Sequence, residues 1–253
     1  MWTAFESEKS STWRELKAID LALTSFKDNF TGKVIKWYTD NKNCVNIVTS
    51  GSMKPELQSI ALSIFSTCIQ KGISIDIQWI PRSENEKADF ISKLIDFEDW
   101  GVTLEFFDFM NSMWGPYTID RFASSLNNKV HRFNSLFWDP KSEAVDAFSQ
   151  NWVNDNNWLV PPINLVMRTI KHLVACRARG TLIIPKWTSA AFWPLIFNRK
   201  FEYQYYVQDV IEFKNTCGIY KQGMNKNTIF GTEPFATPIV AVLLDAKNVL
   251  TWP

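Results

Sequence analysis

The stretch Ile73–Lys93, ISIDIQWIPRSENEKADFISK, sets the narrowest limits on how the chain can fold. Ile73, Ile75, Ile77 and Trp79 alternate, the period-2 signature of a strand with one buried face. Pro81 stops the strand, because it has no amide hydrogen for a ladder. A polar loop follows, in which Ser83 or Asn85 can cap a short helix carrying Asp89 on its first turns. A strand, a polar loop and a helix presenting a carboxylate make one half of a metal-binding site. Two other acids fit the other half. Asp40 ends the strand-like run KVIKWYTD, and Glu15 opens the helical run beginning SSTWRELKAID.

The segments around these acids read as follows. Thr12 to Glu15 matches a capping box, with Leu16, Ile19, Leu23 and Phe26 continuing at helical spacing. On that reading Glu15 bonds back to the cap and can also serve a metal. Lys33–Asp40 is a strand and Asn41–Thr49 a helix ended by Gly51, with Asp40 available as its cap. A second helix spans Pro55–Lys71, and Gly72 suits its C′ position. Strand, helices and strand make a parallel crossover, so this half is α/β. Asp89 taken alone reads as a solvated helix residue.

RELKAI, YTDN, and WIP followed by NEKADFIS, in that order, resemble the acidic core of a ribonuclease H domain. The wording is similar to the ribonuclease H of DIRS-type retrotransposons, tyrosine-recombinase retroelements in which it follows a reverse transcriptase. The resemblance implies that Glu15, Asp40 and Asp89 are catalytic and hold Mg2+ or Mn2+. It implies an RNA–DNA hybrid as substrate and an upstream reverse transcriptase segment as partner. Phosphodiester hydrolysis of this kind runs on two divalent ions about 3.5–4 Å apart, which hold the attacking water and the leaving oxygen. Oxygen ligands select magnesium or manganese over softer metals. The family places one further aspartate on its first, central strand. No strand carrying an aspartate precedes Glu15, so the domain is expected to lack its first strands and the ligand that bridges both ions. Arg82–Glu84 stand where some members carry a loop histidine.

Composition narrows the classes. The net charge of +1 gives no broad basic field for tight independent nucleic-acid binding. Hydrophobic residues at 46% describe an ordered chain with ample core. Cys44, Cys68, Cys176 and Cys217 are scattered with no CxxC, which disfavours zinc and suits reduced thiols in the cytoplasm or nucleus. No apolar run approaches the roughly 20 residues of a membrane span, and no signal peptide opens the chain.

Asp96–Trp100 is the expected boundary, dividing a ribonuclease H-like domain over 1–98 from a second α/β domain over 99–253. Expected strands are Tyr117–Phe122, Asn157–Ile163 running into a loop, Thr181–Pro185 and Pro238–Leu244. Asn164 is expected to cap a helix Leu165–Arg179 closed by Gly180, and Ser189 to begin another through Phe197. TIDRFASSLNN, PPI and GTLIIPKW resemble the region that follows the ribonuclease H in DIRS-type elements, similar to phage-type DNA adenine-N6 methyltransferases and so of Rossmann type. In that family an Asn- or Asp-Pro-Pro-aromatic loop receives the flipped base. Here the loop is Val160-Pro161-Pro162-Ile163. Valine cannot accept the adenine amine's hydrogen bond and isoleucine stacks poorly, so a buried turn is the expected use. Asp120 is the one acid placed for a sulfonium cofactor, although an aspartate holding a loop is the commoner role. Trp138, Trp152, Trp158, Trp187 and Trp193 are expected mostly in the core.

The reading is therefore a retroelement-derived ribonuclease H-like domain joined to a degenerate methyltransferase-like one. Its parent activity is cleavage of the RNA strand of a hybrid, impaired in this chain. A non-catalytic nucleic-acid or protein-binding remnant is the alternative of another class, and adenine methylation is disfavoured by Val160.

Overall fold

Ser10, not Thr12, starts the first long helix. In a computed structural model, which describes residues 2–86, 100–198, 202–221 and 237–247, the Ser10 hydroxyl accepts the Trp13 amide at 3.2 Å. This helix, α2 (Ser11–Phe30), follows a single turn, α1 (Ala4–Ser7), closed by a reciprocal box of Thr3 and Glu6. The expected box at Thr12 does not form. Starting earlier lets Trp13 head the buried stripe Trp13, Leu16, Ile19 and Leu23. It also moves Glu15 into the second turn, out of reach of the cap.

The chain divides into two compact units, Met1–Ile95 with Trp138–Pro140, and Asp96–Phe137 with Lys141–Pro253. Both are α/β. In the first, α2 is followed by β1 (Val34–Thr39), α3 (Lys42–Ser50), α4 (Pro55–Lys71) and β2 (Ser74–Trp79). Gly72 ends α4 in the left-handed conformation, φ 62°, which glycine adopts without a Cβ clash. β1 and β2 pair in parallel, Val34 with Ser74 through Thr39 with Trp79, as the crossover pattern predicts. Leu16, Ile19 and Leu23 of α2 meet Ile47, Ile60, Ile64 and Ile77 in one core. Each such fully buried side chain contributes about 1.5–3 kcal/mol.

Two strands alone are marginal, so this sheet depends on the helices packed against it. The Lys33 and Thr39 carbonyls accept from Ser74 and Ile80 of the β2 side. By alternation, the backbone groups of Val34, Lys36 and Tyr38 face the other edge, which pairs with no strand among the described residues.

The second unit begins with β3 (Gly101–Val102) and α5 (Leu104–Trp114), followed by β4 (Ile119–Asp120), β5 (Asn134–Ser135), β6 (Ala144–Val145) and β7 (Asn156–Leu159). Then come α6 (Val166–Ala175), β8 (Arg179–Pro185), β9 (Val207–Phe213), β10 (Tyr220–Lys221) and β11 (Ile239–Asp245). A five-stranded sheet runs β4-β7-β8-β11-β9, with β4, β7 and β8 parallel and β11 antiparallel to both its neighbours. A parallel bridge from Asp120 to Phe133 sets the parallel pair β5–β6 beside β4. The full row is β6-β5-β4-β7-β8-β11-β9. Core lies on both faces. α6 brings Val166, Ile170 and Leu173 to one, with Leu182 and Ile184, while α5 brings Phe106, Phe107 and Met110 to the other, with Ile183. Burial on both faces is why LIIP is an unbroken apolar run.

Several local expectations give way here. α6 ends at Ala175, not Arg179: Arg177 takes φ 50°, and the amides of Arg177 and Ala178 return to the Val174 and Leu173 carbonyls. That is a Schellman closure with arginine in glycine's usual place. Gly180 instead lies inside β8, where a Cβ would stand 2.7 Å from the Asn157 carbonyl oxygen. Asn164 does not cap α6, whose N-cap is Leu165 with no side-chain bond. Between Ser189 and Phe197 only a 3-10 turn, Trp193–Leu195, forms. The strand expected over Tyr117–Phe122 shrinks to β4, because the chain turns at Asp120. α5 and β9 were not anticipated.

Gly180→Ala should therefore destabilise the protein by about 1–3 kcal/mol in urea unfolding, by overpacking against β7. Gly101→Ala, with open space around it, should be near neutral.

Candidate functional site

β1 brings the residues on either side of Asp40 to the Glu15 carboxylate in the second turn of α2. The Glu15 carboxylate accepts Thr39 Oγ1 at 2.8 Å and Asn41 Nδ2 at 3.5 Å. These two residues flank Asp40, so the helix carboxylate is held across the end of the strand. Asn41 also donates to Thr12 Oγ1 at 3.2 Å and, through its own Oδ1, caps α3 by accepting the Asn43 and Cys44 amides. Asp40 is thereby relieved of capping, and its carboxylate takes no hydrogen bond or ion pair among the described residues. The buried Cys44 thiol is pushed up to about 12, first by burial and then by the charges of Glu15 and Asp40.

Asp89, the third acid of the pattern, lies outside the described residues. Among the described residues, no group of three or more His, Cys, Asp and Glu side chains stands together. Glu15 and Asp40 offer hard oxygen donors of the kind that suit magnesium or manganese. Trp79 is not in the core, as its alternation with Ile77 suggests. It is 44% exposed, donates Nε1–H to the Asp40 carbonyl at 3.0 Å, and carries the Lys42 ammonium 4.5 Å from its ring centre.

In the second unit, the strand order reverses between β4 and β7, and ligands of parallel sheets bind outside the carboxyl ends of strands at such a point. The groups expected there are otherwise engaged. Asp120 is buried, and its carboxylate accepts the Phe122 amide at 3.4 Å and the Lys129 amide at 3.1 Å, fastening the loop after β4. Burial raises its pKa to about 6, against the lowering effect of those amides and the Lys129 charge. Val160 is buried in the cluster of Trp158 and Ile183, and the Pro161 carbonyl accepts Trp100 Nε1 at 3.2 Å. Trp152 and Trp158 are fully buried, as core tryptophans should be.

Sequence reasoning missed a polar network around Arg121 and Asn157. Arg121, 3% exposed, donates to Asn157 Oδ1 at 2.7 Å, Asn134 Oδ1 at 2.9 Å and Asp155 Oδ2 at 2.9 Å. Arg132 joins Asp155 at 2.7 Å and forks onto Glu143 at 2.6 and 2.8 Å. Burial alone would raise the Asp155 carboxyl, but the bonds from Arg132 and Thr118 and the two arginine charges hold it below its ordinary value. Burial brings Arg121 down to about 10, so it remains charged at neutral pH. The only sequence signal was arginine inside an apolar run, DRFA.

The two aspartates respond oppositely to pH. The stabilisation from Asp155, whose folded pKa is depressed, is present above its ordinary pKa and lost as pH falls. Asp120, with a raised folded pKa, contributes most below 3.8, and that contribution is lost as pH rises through about 6. Asp155→Ala should cost about 3–5 kcal/mol at neutral pH by stranding buried Arg121. Relative to the unaltered chain, Asp120→Asn should become less unfavourable as pH rises from 4 to 7, because the amide has no charge to bury although one backbone amide loses its acceptor. Denaturation midpoints across that range check both signs.

Calorimetry with S-adenosylmethionine should show no heat of binding, because Asp120 and the Val160–Ile163 loop are committed to structure. Micromolar binding would contradict this.

No family model matches the chain, and no curated protein matches it.

Proposed function

We propose that the chain is a ribonuclease H-like protein derived from a DIRS-type retroelement, joined to a methyltransferase-like unit that no longer transfers methyl groups. Its parent activity is divalent-metal-dependent hydrolysis of RNA in RNA–DNA hybrids. The observation that carries this is the Glu15 carboxylate bonded to both neighbours of Asp40, uniting the helix acid and the strand acid that the resemblance pairs. The parallel β1–β2 crossover with its intervening helices supports the same reading. Asp89 is the proposed third ligand.

When bound, two divalent ions activate the attacking water and stabilise the leaving oxygen. Thr39 and Asn41 hold Glu15 in orientation, leaving the Asp40 oxygens available for coordination. For the second unit, the order third-second-first-fourth-fifth, counted among its strands β4 to β8, supports a Rossmann-type ancestry. Buried Val160 and committed Asp120 support loss of the transfer reaction.

The three named residues, Glu15, Asp40 and Asp89, include no counterpart of the family's first-strand aspartate. Loss of one member of a cooperating set costs orders of magnitude in rate. Assay of the purified chain on a labelled hybrid should give weak cleavage at best with magnesium or manganese, reduced to background by Asp40→Asn or Glu15→Gln. Robust cleavage abolished by Asp40→Asn would mean that another residue completes the set. Cleavage indifferent to both substitutions would overturn the proposal.

A further inference from the structure

We infer that Trp79 and Lys42 form a binding rim for a nucleic-acid strand beside the carboxylates, the indole stacking on a base or ribose and the ammonium meeting a phosphate. This deepens the ribonuclease H-like reading and rests on it. Trp79 is the register partner of Thr39, so its side chain stands at the end of the strand that delivers Asp40. The bond from Nε1 to the Asp40 carbonyl satisfies the indole's only donor and fixes its orientation, while 44% of the residue stays exposed. Ile77, two residues earlier, is buried, so the exposure belongs to the end of β2 and not to the whole strand.

Lys42 is hard to explain as a stabilising residue. It is the first residue of α3, where the helix dipole disfavours a cation, and the first turn of α3 carries no acid. No carboxylate pairs with Lys42 among the described residues; its recorded neighbour is the Trp79 ring at 4.5 Å. An oriented, exposed indole next to an unpaired ammonium offers both contacts that bind single strands without sequence preference: a π-face and a phosphate partner. A local contact of this kind is compatible with a net charge of only +1.

The test is fluorescence anisotropy of a labelled RNA–DNA hybrid and of the separate strands with the full chain in EDTA, so that binding is read without hydrolysis. Trp79→Ala should weaken binding at least tenfold, and Trp79→Phe should keep most of the affinity, since the ring is retained and the bond to Asp40 lost. Lys42→Ala should lower the slope of log K against log salt by about one phosphate contact. If Trp79→Phe binds as poorly as Trp79→Ala, the indole acts by holding the Asp40 loop, and the rim is overturned. An unchanged salt slope in Lys42→Ala, or no binding of any strand by the unaltered chain, also overturns it. Equal losses on single strands and hybrid would keep the rim while removing the hybrid as preferred ligand, a failure of the hydrolysis reading alone.

Discussion

The second unit hangs on the buried side chain of Asn157. Its Oδ1 accepts from Arg121, and its Nδ2 lies within bonding distance of the Trp152, Asp155 and Arg179 carbonyls. These contacts tie β7 to the loop before it, to the turn after β4 and to the start of β8. An unpaired guanidinium at the depth of Arg121 would cost several kcal/mol, so the position requires Asp155. Asp155 in turn requires Arg132, which reaches in from the strand side and locks onto Glu143. The close approach of β7 to β8 follows, and with it the need for glycine at 180.

That network distinguishes the polar groups of the second unit from those of the first. Many polar groups near the strand ends of the second unit are engaged by one another or by backbone, although Asn134 Nδ2, Ser135 Oγ, Asn156 Oδ1 and Arg179 Nε are buried without a hydrogen-bond partner among the described residues. Asp120 holds two amides, Arg121 three acceptors, and the Pro161 carbonyl a tryptophan. A transfer site needs acceptors aimed at a ligand, and the valine of the VPPI loop provides none. In the first unit the balance is reversed. Glu15 is held by two donors, yet the Asp40 carboxylate takes none among the described residues, and the buried Cys44 thiol is pushed up to about 12.

Legibility in the sequence followed the range of the forces involved. The crossover β1-α3-α4-β2 could be read because its signals are local: alternation in ISIDIQW, Pro55 at a helix start, Gly72 at its end. Strands β8 and β11 announced themselves as apolar runs. Positions decided by packing were misread. Gly180 resembles a helix stop until the Asn157 carbonyl is placed 2.7 Å from its missing Cβ. Trp79 continues an alternating pattern, but β2 ends there and the core does not extend past Ile77. For the site, a link between the helix of Glu15 and the strand end at Asp40 was expected from motif wording. Its physical cause was not, because Thr39 and Asn41 act across the gap between α2 and β1.

Choosing between Ser10 and Thr12 as the cap has a consequence for that site. With Thr12 as cap, Glu15 would fall at N3 and spend its carboxylate on the Thr12 amide. With Ser10 as cap, the same glutamate turns toward β1, and the Thr12 hydroxyl becomes an acceptor for Asn41. Asn41 can then bridge helix and strand while its oxygen caps α3, which frees Asp40 from the capping role its place before α3 invites. The orientation of Glu15 and the freedom of Asp40 thus trace to a two-residue shift in where α2 begins. That shift accompanies burial of Trp13, so a hydrophobic contact two residues from Glu15 helps to set the charge around it.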